Sequence, residues 1–146
     1  MKTKWSAAVT VLTLACSLQV SAWAGRNDWR AELILADKIK AAPPAERGDK
    51  AYQLELLVRR QARNKAPQEL IDKLIDLMDE DAVVHAWVAA ALGDLGPQAS
   101  AAIPALKRVL EKDKAYHASI NGPTSGIWPE GAIEIALRKI QAPKKP

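Results

Sequence analysis

Phenylalanine is absent from this chain, and a single cysteine, Cys16, is present among its 146 residues. Two histidines, His85 and His117, and a handful of serines complete a poor stock of nucleophiles and bases. Covalent catalysis needs a nucleophile beside an oriented base, and neither a serine elbow nor a Cys–His setting occurs. A zinc site needs a His/Cys cluster, which is missing too. Asp79, Glu80 and Asp81 lie near His85 but lack the glycine and the downstream glutamate of a calcium loop. Such an acidic turn before a helix is explained by the positive end of the helix dipole, with Asp81 as N-cap. We therefore expect no catalytic residue, no metal and no cofactor. Strands are missing as well, since no stretch alternates apolar and polar residues convincingly.

What is present begins with "MKTKWSAAVTVLTLACSLQVSAWAG". Lys2 and Lys4 precede an apolar run, and Ala22-Trp23-Ala24 has the A-x-A form of a cleavage site. The run is shorter than the roughly 20 residues that span a bilayer. Residues 1–24 read as a signal peptide cleaved after Ala24, which places the protein in the periplasm or outside the cell. A second reading takes "TLAC", Thr13 to Cys16, as resembling a lipoprotein box, with cleavage after Ala15 and a lipid anchor at Cys16. Thr13 stands where a leucine is usual. After cleavage at Ala24 the chain has no cysteine and rests on packing alone. Losing Lys2 and Lys4 also leaves only a slight positive balance, too little to argue for nucleic acid. Tyr52 is the sole aromatic among the basic residues of 47–65, which argues against it again.

From residue 25 to 146 helical periodicity runs throughout, and the fold class expected is all-α, with about five to six helices after the signal peptide. "NDWRAELILADKIKAA" is the first helix, with Trp29, Leu33, Ile34 and Ile39 on its apolar side and Pro43-Pro44 as its stop. "ERGDKAYQLELLVRRQARNK" is the second. "PQELIDKLIDLMDED" is the third, with Pro67 in its first turn and a stripe of Leu70, Ile71, Leu74, Leu77 and Met78. "DAVVHAWVAAALGDLG" has almost no polar face and is expected to lie at the centre, enclosed on every side around Trp87. Gly96 stops it, and Pro97 starts "PQASAAIPALKRVLEKD", which Pro104 should bend. "PEGAIEIALRKIQ" is the last helix.

The helices repeat. Sliding "IDKLIDLMDED" forward sets Ile71 on Ile103, Leu74 on Leu106, Met78 on Leu110 and Asp81 on Asp113. Sliding "ALGDLG" onto "ALRKIQ" pairs Leu92 with Leu137 and Leu95 with Ile140 by a longer shift. The excess is "KAYHASINGPTSGIWPE", read as a loop, 114–128, inserted between two helices of a repeat array. The segment 79–113, "DEDAVVHAWVAAALGDLGPQASAAIPALKRVLEKD", resembles a HEAT-like repeat in its acidic turn, its first helix ending "AAALGDLG", its proline turn and its second helix. That resemblance implies a short α-solenoid of about two and a half antiparallel helix pairs over 25–146, a scaffold that binds rather than catalyses.

Partner contacts are expected from residue types that anchor interfaces. In the loop these are Tyr116, His117, Asn121 and Trp128. Arg59 and Arg63 come from the basic run 47–65, which faces an acidic run, 69–81, if those two helices form a hairpin. Glu130 and Glu134 read as a solvated stripe of the last helix. The function expected is a non-catalytic protein-binding adaptor or assembly factor of the cell envelope. The alternatives are a periplasmic inhibitor or immunity protein and, from another class, a small helical hydrolase.

Overall fold

The computed structural model describes residues 28–121 and 130–143. The signal-peptide and Cys16 readings and Trp128 fall outside them. Among the described residues there are six α-helices, one 3-10 segment and no strand. The helices are α1 (Arg30–Ala41), α2 (Pro44–Gln61), α3 (Gln68–Leu77), α4 (Ala82–Leu95), α5 (Ile103–Asn121) and α6 (Glu130–Gln141). The 3-10 segment, Gly96–Ala102, joins α4 to α5. None of these helices is long and apolar enough to cross a membrane.

Local chemistry sets the boundaries. Ala42 is extended, with ψ 152°, as a residue before proline prefers. Pro44 then opens α2, two residues before the expected start, because the first helical position has no intrahelical partner for its missing N–H. Pro67 is the extended residue just before α3 rather than part of its first turn. The Asp81 carboxylate caps α4, accepting from the amides of Val83 and Val84 at 3.1 and 3.0 Å. Gly96 ends α4 with φ +59°, a conformation that suits glycine. The chain then tightens into the 3-10 turn and re-enters α-geometry at Ile103. Pro104 falls in the first turn of α5, where it costs no hydrogen bond. The break expected there comes earlier, at Ala99, whose φ −91° and ψ 21° are non-helical.

Each helix packs on its sequence neighbour, α1 on α2, α3 on α4 and α5 on α6. Alternate helices also lie side by side. One row is α2, α4 and α6, and the other is α1, α3 and the 3-10 segment. The core between them holds Ile39, Leu54, Leu74, Leu92, Leu106 and Ile133, all essentially inaccessible. The predicted stripes of α3 and α6 are buried as expected. On α1 the buried stripe is Trp29, Glu32, Ala36 and Ile39, and Ile34 stands 55% exposed.

Two glycines set how near α4 comes to its row neighbours. A Cβ on Gly93 would sit 2.9 Å from the backbone Cα of Ala136 in α6. A Cβ on Gly48 of α2 would meet Cγ1 of Val83 at 2.7 Å. The turn between α2 and α3 is pinned from both sides. Gln98 accepts from the Ala66 amide at 2.9 Å and donates to the carbonyls of Asn64 and Ala62 at 3.2 and 3.3 Å. Trp29 Nε1 donates to the Lys65 carbonyl at 3.1 Å.

Three expectations need correction. Helix α4 is not enclosed on every side. Val83 is 43% exposed, and Trp87 is half-buried, because the stripe Val83, Trp87, Ala90 and Asp94 faces outward between α2 and α6. The inserted loop does not begin at residue 114, since α5 continues to Asn121. Nothing in "KAYHASI" breaks a helix before Gly122 and Pro123. The basic and acidic runs are not partners along one hairpin either. Arg47 reaches Glu80 at 2.7 Å, but the other ion pairs of residues 69–81 run to α1 and α5. Lys40 of α1 meets Asp76 at 3.5 Å, Asp37 of α1 holds Lys73 at 2.5 Å, and Arg108 of α5 meets Asp79 at 2.8 Å.

Candidate partner-binding face

The outward stripe of α4 follows from spacing. Positions 83, 87, 90 and 94 recur at i, i+4, i+7 and i+11, one face of a helix. A cleft opens at each end of it, and the two differ in chemistry.

The first cleft, about 690 Å³, lies between the N-terminal halves of α2 and α4. Pro44, Ala45 and Gly48 form one wall, and Val83 and Trp87 the other. Tyr52, 44% exposed, packs its ring on Trp87 with centroids 4.7 Å apart and planes tilted by 53°. Aromatic pairs of this kind bring large amphipathic surface to a site at little entropic cost. Asp49 and Asp81 add two carboxylates to the lining.

The second groove, about 320 Å³, lies where α2, α4 and α6 meet. Ala90, Gly93, Gly131 and Ala132 give it a small-residue floor. Asp94 sits beside it, receiving Arg59 Nε at 3.0 Å and Lys139 Nζ at 2.7 Å. Burial raises the Asp94 carboxyl, but the hydrogen bonds from Lys139 and Arg59 outweigh it and hold the group below the usual carboxylate range. Glu55, fully buried one turn before Arg59 and ion-paired with it, shifts the other way. Burial drives it up, Arg59 counteracts, and the neighbouring Asp94 charge pushes it up again. The two carboxyls and two cations form a network closed within the fold.

Of the residues expected to bind a partner, Arg59 belongs to this network, whereas Arg63 is exposed and takes no part in either cleft. Tyr116 and His117 are helical rather than on a loop. Tyr116 is 62% exposed and lies edge-on to His117, with ring centroids 5.7 Å apart. His117 Nε2 stands 3.9 Å from Glu130 Oε1, in the turn of α6 that supplies Gly131 and Ala132 to the second groove. Asn121 is the last residue of α5. Glu130 is buried, not part of a solvated stripe. The first turn of α6 packs on α5, while Glu134 faces out and meets Lys114 at 3.3 Å. His85 is buried, with Nε2 2.9 Å from Asp113 Oδ2. Two His–carboxylate pairs thus sit one turn apart along α5 and join it to α4 and α6. Among the described residues no group of three or more His, Cys, Asp and Glu is placed to hold a metal ion.

Tyr52, Asp49, Val83, Trp87, Asp94 and Lys139 were not anticipated as a face. The available signal was the 83-87-90-94 spacing, which ends in an aspartate and so marks a helix side that meets water.

No family model matches this chain, and no curated protein or solved structure does so either.

Proposed function

We propose that this is an exported, non-catalytic module of stacked HEAT-like helix pairs that binds a protein partner, acting as an adaptor or assembly factor in the cell envelope. Export rests on the sequence signal of residues 1–24. The stacking reading is supported by three successive helix pairs in which α2, α4 and α6 lie side by side, with α1, α3 and the 3-10 segment as a second row, the way repeats share a continuous core. A binding role is supported above all by one observation, the row of exposed apolar side chains across α2, α4 and α6. Tyr52, Val83 and Ile135 are each 43–47% exposed, and Trp87 and Ala90 lie between them. Contiguous apolar surface rimmed by charge marks interaction sites, and aromatic residues are the commonest anchors. The buried His85–Asp113 pair, with side chains 6% and 14% exposed, leaves little room for a substrate and favours a structural role.

Site-specific photo-crosslinking of the full chain in envelope extract tests this. A photoreactive residue at Val83 or Ile135 should capture one common protein, and the same residue at Lys38, on the opposite row, should not. Equal capture at all three positions, or capture at none, would overturn the reading.

A further inference from the structure

We propose that the cleft between α2 and α4 receives a lysine or arginine side chain carried on an otherwise apolar segment of the partner. This rests on the partner-binding reading and adds the chemistry of what is bound. The charge pattern around the cleft is the ground for it. Most acids on the surrounding elements already hold a cation of this chain: Glu46 holds Lys50 at 2.6 Å, Glu80 holds Arg47 at 2.7 Å, and Asp79 holds Arg108 at 2.8 Å. The two carboxylates in the cleft do not. Asp49 is exposed and meets no cation among the described residues. Asp81 uses Oδ1 to cap α4 and likewise meets no cation among them. The nearest bases in sequence, Arg47 and Lys50, are held elsewhere, Arg47 by both Glu80 and the Ala42 carbonyl, 2.9 Å from its Nε.

The rest of the cleft suits the same guest. A cation over an aromatic face is attracted by the ring quadrupole, and Tyr52, 44% exposed, offers such a face in the cleft. Pro44, Ala45 and Val83 supply an apolar lip along which the methylene stem of a long basic side chain can lie. An acidic guest would meet two carboxylates that no cation of the described residues compensates, so the cleft discriminates by charge as well as shape. Each interaction is individually weak, and one basic side chain alone should bind on the order of millimolar.

The test is a titration of the isotope-labelled full chain, followed by NMR, with acetyl-Leu-Arg-Leu-amide and with acetyl-Leu-Glu-Leu-amide. The arginine peptide should shift the amides of Gly48, Tyr52 and Val83 and the indole of Trp87, and the glutamate peptide should bind at least about tenfold more weakly. Asp49→Asn, a surface change, should weaken the arginine peptide about threefold to tenfold with no change in melting temperature. Tyr52→Leu should do the same, and because it removes no core side chain it guards against a folding artefact. Equal response to both peptides overturns the proposal, as does no response up to about 10 mM or an Asp49→Asn variant that binds like the parent. Cleft shifts that grow with protein concentration alone would assign the surface to a second copy and overturn it too. If the basic peptide fails while the crosslinks at Val83 and Ile135 persist, only the charge assignment falls, and the partner face stands.

Discussion

The two ends of the outward stripe of α4 make an instructive pair. At the C-terminal end, Asp94 takes a cation from each neighbouring helix, and Glu55 lies beneath them with its carboxyl pushed toward the neutral form. At the N-terminal end, two tilted aromatic rings lie beside carboxylates that no cation of the described residues answers. The first arrangement resembles mortar, in which charges hold three helices in register and cancel locally. The second leaves Asp49 and Asp81 without a cation among the described residues. Glycine follows the same division. Gly93 is pressed against backbone, which cannot yield, and Gly48 against the tip of a half-exposed valine, which can turn away.

The largest expected difference lies along α4 itself. Leu92→Ala should cost about 2–5 kcal/mol, as a fully buried truncation with its cavity. Trp87→Ala, half-buried, should cost about half of that, despite removing more atoms. Chemical denaturation measures both, and equal losses would restore the enclosed helix expected from composition. Next come the glycines. Gly93→Ala should destabilise by about 1–3 kcal/mol, because a methyl is forced onto α6. Gly48→Ala should be neutral or gain up to about 1 kcal/mol from helix propensity. A matching loss at both sites would mean the cleft wall is as rigid as the α4–α6 contact.

A third test uses pH. Because folding raises the Glu55 pKa, its stabilising contribution is fully present at acid pH and is lost as pH climbs from the ordinary glutamate range through the raised value. Asp94 runs the other way: its pKa is lowered by folding, so its contribution holds above the ordinary aspartate range and is lost as pH falls. Melting temperatures from pH 3 to 8 should therefore show Glu55→Gln losing less than the parent as pH rises above the ordinary glutamate range. Parallel curves would remove Glu55 from the network. The smallest effect belongs to Asp49→Asn, which should change stability by no more than about 0.5 kcal/mol as an unpaired surface substitution. A clear loss would place Asp49 in an intramolecular role instead.

Features governed by adjacent residues were legible in the sequence. The Asp81 cap, the Gly96 stop and the apolar stripes of α3 and α6 all follow from local periodicity and backbone chemistry. Exposure was harder to read. Alanine and tryptophan are apolar wherever they sit, so "HAWVAAAL" looks buried all round, and only the placement of α2 and α6 reveals which side is left open. The end of α5 was misplaced for a related reason. Aligning Asp113 with Asp81 suggested a boundary that the helix-forming "KAYHASI" does not respect. The network at the second groove was invisible, since Arg59 and Asp94 are 35 residues apart and Asp94 and Lys139 are 45 apart. Neither separation carries a local signal. Glu130 was misjudged because its burial depends on α5, a helix that comes before it and packs across it.

The side-chain amide of Gln98 has a consequence for motion. One planar group bonded to the backbone at Ala62, Asn64 and Ala66 joins the α2–α3 connection to the 3-10 segment two elements later, while Trp29 grips the same connection from the other direction. The connection is therefore tied down from two sides, and the Ala66 amide should be among the slowest to exchange with solvent despite belonging to a turn.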